Sequence, residues 1–194
     1  MQRRLVLALG GMALLAACSS GGTQLGTDGK PLAQLYKITP ETTNDIYFRL
    51  LDSVNSLRQG RNLLQVQFKS ELNAAAATHS RDMSVQNRPW HFGSDGSSPL
   101  TRVQRVGYRG RLSGELISET YETELETLSA WMAQAETRAV VLDPAVTEIG
   151  FSWWQDPNGK IWWTLLTGAA GGTPYQSVSP TVNPIIPGSS AFSR

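Results

Sequence analysis

Thr147-Glu148-Ile149-Gly150-Phe151-Ser152-Trp153-Trp154 and Lys160-Ile161-Trp162-Trp163-Thr164-Leu165-Leu166 are two runs rich in β-branched and aromatic residues, and their reading decides the fold. Asp156-Pro157-Asn158-Gly159 lies between them and is turn chemistry: proline presets φ, and Asn and Gly tolerate left-handed backbone. The pattern predicts a β-hairpin. A shorter third strand is expected through Glu115 to Thr120. Upstream, the period changes to that of helices. Thr39-Pro40 opens a first helix with Ile46, Leu50, Leu51, Val54 and Leu57 on one face, and Gly60 is expected to end it in a left-handed conformation. Ser70-Glu71 opens a second, with Leu72, Ala75, Ala76, His79 and Met83 in register. Ser98-Pro99 starts a short third helix carrying Leu100 and Val103 and stopped by Gly107, and a fourth carries Leu125, Leu128, Trp131 and Met132. Four helices followed by an antiparallel hairpin, with no βαβ rhythm, predict an α+β layered domain.

The flanks differ from this core. The chain has 194 residues, 17 basic and 16 acidic, two histidines and one cysteine. No basic excess is available to neutralise phosphates, so a nucleic-acid partner is not expected. One cysteine excludes an internal disulfide framework and any cysteine-based zinc ribbon. Arg3 and Arg4 precede an apolar run, Leu5 to Leu14, that is too short to span a bilayer. Leu15-Ala16-Ala17-Cys18 follows and resembles the lipobox of bacterial lipoproteins. The resemblance implies a signal peptide over 1–17 and a diacylated Cys18 as the new N-terminus, anchored to the membrane by palmitate-type chains. Ser19, rather than Asp, after the cysteine implies delivery to the outer membrane, facing the periplasm. Residues 18–38 read as a lipidated cysteine and a Gly-, Ser- and Thr-rich tether. Residues 169–194 read as a Gly-, Ser- and Pro-rich tail, leaving 39–168 as the folded unit.

Within that unit several motifs follow in order. Val54-Asn55-Ser56-Leu57-Arg58 lies on the first helix, and His79-Ser80-Arg81-Asp82-Met83 on the second. His91-Phe92-Gly93-Ser94-Asp95-Gly96-Ser97 comes next, then Arg105-Val106-Gly107-Tyr108 and Gly114-Glu115. Trp131-Met132, Val141-Leu142-Asp143-Pro144 and Thr147-Glu148-Ile149-Gly150 complete the series. Together they resemble the CAP superfamily of cysteine-rich secretory, antigen five and pathogenesis-related proteins, with its SCP-like domain, in the bacterial lipoprotein form. The resemblance implies a three-layer α-β-α sandwich with an antiparallel sheet and a central cleft. In many members two histidines and two glutamates face each other across that cleft and can hold a divalent cation. Here the first histidine matches His91 and the first glutamate Glu115. Thr137 stands at the second histidine position and Gln134 at the second glutamate position, so the resemblance leaves the tetrad half intact. One imidazole and one carboxylate fall short of the three side-chain ligands that zinc sites use, and neutral Gln134 and Thr137 are poor zinc ligands. Neither zinc nor any other cofactor is therefore expected. Glu136 could restore the count only if its helix ended early.

His91 and Glu115 remain the candidate pair, either as catalytic groups or as a ligand clamp. The chain has no Gly-x-Ser-x-Gly elbow, no His-Glu-x-x-His and no phosphate-binding glycine loop. His79, on the apolar face of its helix, is expected to be a core histidine bonded to a neighbour. Glu148 is expected to be a strand-entry or surface charge. Glu119, Glu122, Glu124 and Glu126 are expected to be a solvated acidic face at a helix start. Trp153-Trp154 and Trp162-Trp163 alternate across the sheet. They are either core on both faces or, through Trp154 and Trp163, an aromatic strip for a lipid, glycan or protein. The expected function is a lipid-anchored envelope module that binds a ligand or partner through His91, Glu115, Gln134, Thr137, Trp154 and Trp163. The other readings are a hydrolase in which His91 and Glu115 activate water, and an interaction module with a vestigial cleft.

Overall fold

A computed structural model describes residues 36–171. The expected signal peptide, the lipidated Cys18, most of the tether and nearly all of the tail lie outside the described residues. Nine elements follow in order: α1 (Pro40–Gln59), β1 (Gln67–Phe68), α2 (Ser70–Gln86), α3 (Pro99–Arg105), β2 (Arg111–Ser118), α4 (Glu124–Ala133), α5 (Ala135–Val141), β3 (Glu148–Gln155) and β4 (Ile161–Ala169). The strands form one sheet in the order β1-β3-β4-β2.

The expected hairpin is the centre of that sheet. β3 and β4 pair antiparallel with Trp153 opposite Trp163 and Trp154 opposite Trp162. Gly159, at φ 93°, closes the turn by donating its N–H to the Asp156 carbonyl. β2 adds antiparallel to β4, and the two-residue β1 adds parallel to β3, an edge that the sequence pattern did not disclose. β2 begins at Arg111, four residues before the expected strand, and a bulge at Ser113 resets its alternation.

Period-two alternation divides the strands between two layers. Ile149, Phe151, Trp163, Leu165 and Leu116 pack with Ile46, Leu50 and Val54 of α1 and Leu128 and Trp131 of α4. The other face sends Leu166 against Leu72, Ala75 and Ala76 of α2 and Val103 of α3. The three-layer α-β-α arrangement follows. Gly150 lets α2 lie directly on the sheet, because a Cβ there would fall on the Leu72 backbone. Among the described residues no helix is long and apolar enough to cross a membrane.

Several local expectations are corrected. Gly60 stays right-handed at φ −60°, and the left-handed residue after α1 is Asn62 at φ 57°. The fourth predicted helix is followed by a fifth, α5, because Gln134 is extended (φ −95°, ψ 140°). Side chains hold that break: the Thr137 hydroxyl donates to the Trp131 carbonyl, and Arg138 donates to Met132 O at 2.9 Å. Glu124 is no solvated charge. It is 1% exposed and takes Arg49 Nε at 2.7 Å, while Thr123 and Glu126 form a capping box. Arg58 ties the two ends of the chain's core together. Fully buried, it donates to the carbonyls of Leu64, Val141, Asp143 and Val146 at 2.8–3.0 Å, and burial pulls its pKa below the usual value against the nearby Asp143.

Candidate functional site

The loop after α2 is wound tightly by short-range hydrogen bonds. Asn87 ends the helix in left-handed backbone, Trp90 Nε1 donates to Gln86 Oε1, and Asp82 Oδ2 accepts Ser94 N–H at 2.7 Å. Gly93 donates to the Ser97 carbonyl, and a Cβ at Gly93 would strike the Ser97 hydroxyl and the Asp95 carboxylate. Arg102, on α3, staples this loop by donating from Nη1 to His91 O and Ser97 O, each at 3.0 Å.

The same guanidinium reaches the candidate pair. Arg102 Nη2 donates to Glu115 Oε2 at 2.6 Å, and His91 Nδ1 donates to Glu115 Oε1 at 2.9 Å. His79 Nε2 lies 3.6 Å from that Oε1 and 3.0 Å from the Trp90 carbonyl. A carbonyl only accepts, so His79 Nε2 carries the proton, and its buried Nδ1 has no partner. Burial pushes the His79 pKa below its ordinary 6.5, against the opposing pull of Glu115. The Glu115 side chain is 2% exposed and that of His91 51%. A buried carboxylate is thus surrounded by three donors, and only the outermost of them, His91, meets solvent. In its neutral form that ring turns the Nε2 lone pair outward.

This donor set does not fit a cation. The two imidazole nitrogens nearest Glu115 both carry protons and have no lone pair to offer, and Arg102 already neutralises the carboxylate. Among the described residues no group of three or more His, Cys, Asp or Glu is placed to hold a metal ion. Glu136 lies beyond the break at Gln134, yet it is exposed in the first turn of α5 and completes no ligand set.

The other expected site residues are dispersed. Gln134 is exposed at the α4–α5 break and Thr137 is spent on the Trp131 carbonyl, and neither makes a hydrogen bond to His91 or Glu115. Strand alternation accounts for this: Leu116 enters the layer that α4 covers, and Glu115 points the other way, toward α2 and α3. The aromatic strip is also corrected. Trp163 has no exposed surface and stacks on Phe151 with ring centres 5.5 Å apart, whereas Trp154, 38% exposed, lies on the opposite face. Sequence reasoning missed Arg102 and left His79 outside the site. The available signal was placement: each lies on the inward face of its helix, where a charged or polar group needs a partner. Beside the cluster, Arg102 also lines a recess of about 340 Å³ with Thr78, Asp82, Ser97 and Arg105. Glu148 opens β3 as expected, but it accepts the Tyr108 hydroxyl at 2.8 Å, and burial together with that carboxylate raises the Tyr108 pKa.

A sequence model of the cysteine-rich secretory protein family (CAP) matches residues 51–166. The chain belongs to that family. The Bacillus subtilis protein YkwD is 27% identical over 123 residues, which are 63% of this chain and 47% of that protein. The chain therefore spans about half the length of this curated relative. Among solved structures, an outer surface protein of Borrelia burgdorferi superposes with a TM-score of 0.61 at 17% identity, covering 70% of this chain and 98% of that one. An extracellular SCP-domain protein of Bacillus anthracis gives 0.61 at 21% identity, covering 69% and 44%. These likenesses show that the CAP fold spans nearly all of the described residues.

Proposed function

We propose that this CAP-domain chain is a bacterial envelope protein, anchored in the outer membrane by acyl chains on Cys18 and facing the periplasm, and that its domain binds a ligand or partner without catalysis. The two structural neighbours, named as an outer surface protein and an extracellular protein, support an envelope or secreted location. The observation that carries the binding role is the burial of Glu115. Its side chain is 2% exposed and its two oxygens are held by Arg102 and His91 inside the domain, so it does not meet a solvent-side water directly. What the cluster offers outward is the half-exposed imidazole of His91, and Arg102 links it to the neighbouring recess, which suits recognition of a lipid headgroup, a glycan or an envelope protein.

One observation favours the second reading. A carboxylate on Nδ1 and a solvent-facing Nε2 is the arrangement of a general base, so a hydrolase acting through His91 is the alternative. The test is native mass spectrometry of protein purified from membranes, together with turnover of p-nitrophenyl acetate. The binding reading expects a co-purified mass that is lost in His91→Ala, with turnover equal in both proteins. Ester turnover that disappears in His91→Ala, while the fold is retained, overturns it in favour of the hydrolase. Acylation is tested separately by the mass of the N-terminal peptide and by Cys18→Ser, which should leave the membrane fraction.

A further inference from the structure

The end of the domain bearing the β3–β4 turn holds three cations over three indoles. The Arg81 guanidinium lies 5.0 Å from the ring centre of Trp154, that of Arg88 4.0 Å from Trp90, and Lys160 Nζ 3.8 Å from Trp162. Trp162 is buried beneath this end, and hydrogen bonds link the three pairs. Asp156 accepts the indole N–H of both Trp154 and Trp162 and the Ser84 hydroxyl, and Lys160 reaches Asn87 Oδ1 at 3.5 Å. Of the acidic groups beside these cations, Asp156 is turned inward on those three donors, Glu119 pairs with Lys160, and Asp82 accepts from Ser94 and Gln86, while Glu41 of α1 and Glu122 ahead of α4 are exposed on the opposite layer of the same end. Arg81 and Arg88 are exposed and have no carboxylate partner among the described residues. Apolar surface accompanies them: Val85, one turn beyond Arg81, is 74% exposed, and Phe92 is 49% exposed.

The path of the chain adds an independent constraint. Gln155, the last residue of β3, binds Ile38 N–H at 3.0 Å and the Tyr36 carbonyl at 2.6 Å. The first described residues, Tyr36 and Ile38, therefore lie at this same end.

From this juxtaposition we infer that the turn end docks on an anionic phospholipid surface, with Arg81 and Arg88 on headgroup phosphates and Trp154 and Val85 in the headgroup layer. The choice of a membrane as occupant rests on the Cys18 anchor proposed above. Indoles and arginines are the side chains that suit the boundary between water and lipid, and basic residues near an anionic leaflet are attracted to it. Beside a covalent anchor, such a weak contact acts as an intramolecular one and fixes orientation. The opposite end, with Arg61, Gly107 and Ala169, would then face away from the bilayer.

The test places an environment-sensitive fluorophore on Val85→Cys in the full lipidated chain, reconstituted into vesicles of phosphatidylcholine alone or with roughly one-third phosphatidylglycerol. Arg61→Cys, exposed at the far end of α1, carries the control label. Docking predicts a blue-shifted, several-fold brighter Val85 label only with phosphatidylglycerol, reversed by high salt, while the Arg61 label stays unchanged. Arg81→Glu with Arg88→Glu should abolish the shift without releasing the protein from vesicles. Both arginines are exposed, and a thermal melt confirms that the variant folds. A chain that floats with vesicles while its Val85 label stays in water overturns the docking and leaves the anchor standing. Equal shifts at both labels overturn it too. A phosphatidylglycerol-dependent shift retained in Cys18→Ser upholds docking even where the anchor fails.

Discussion

Trp162 and Trp163 are neighbours on β4 and neither has exposed surface, yet they end in different surroundings. Trp163 lies among Phe151, Trp153, Leu116 and the helices α1 and α4, in a layer of large apolar side chains. Trp162 lies in the layer of α2, where the helix comes close through Ala75, Ala76 and Gly150. Polar groups fill the rest of that layer. Ser80 donates to Thr164 Oγ1 at 2.8 Å, and His79, Arg102 and Glu115 form the candidate site. One face is held by volume, the other by close backbone approach and a hydrogen-bonded polar cluster in which His79 Nδ1 and Arg102 Nε lack a partner. Buried polar groups are costly to leave unpaired, so the bonds that Glu115 makes hold this second face in a single geometry.

The comparison is most easily broken by truncating one large residue on the apolar face. Trp163→Ala should cost about 4 kcal/mol in urea unfolding, the usual cost of removing a buried aromatic. A loss below about 1 kcal/mol would mean that this layer is not held by volume. On the polar face, Glu115→Gln strands Arg102 and should cost about 3 kcal/mol, while Glu115→Leu with Arg102→Met should recover most of that loss. If the double variant is as unstable as the single one, the ion pair is more than mutually compensated charge. Gly150→Ala should cost about 2 kcal/mol, because α2 must lift from the sheet.

A finer distinction lies in pH. Burial lowers the His79 pKa in the folded protein, so the unfolded chain binds a proton that the native state refuses. The stability that His79 contributes is fully present above its ordinary 6.5 and is lost as pH falls toward the lowered native value. Thermal melts should show that loss in the native chain and a flatter profile in His79→Gln. The smallest effect is expected at His91→Ala, within about 0.5 kcal/mol, since its ring is half exposed. A larger loss would make His91 a structural brace.

Much of the apolar face was legible in the sequence because periodicity reports it directly. Ile46, Leu50 and Val54 keep helical spacing, and Phe151, Trp153 and Trp163 keep the alternation of a hairpin whose turn residues are explicit. The polar face was less legible. Arg102 drew no reading on its short helix, and His79 reads as a core residue, because their common partner Glu115 lies on a strand that sequence spacing does not bring near them. The break at Gln134 was hidden for a related reason. Ala133-Gln134-Ala135-Glu136 favours a continuous helix, and the interruption is held by Thr137 and Arg138 taking carbonyls of the preceding turn. Of the site, His91 with Glu115 was legible and their assembly with His79 and Arg102 was not; Gln134, Thr137 and Trp163 lie apart from the pair.

Arg58 also sets a schedule. Its carbonyl partners at Val141, Asp143 and Val146 are 83, 85 and 88 residues further along the chain. β1 has its partner in β3, and β2 has its partner in β4. A chain emerging N-terminus first, from a ribosome or through a translocation pore, therefore cannot close this domain until its last strand has cleared the exit. Until then the Arg58 guanidinium has only the nearby Leu64 carbonyl to receive it. Such a chain holds its early helices without their sheet until the C-terminal strands are free.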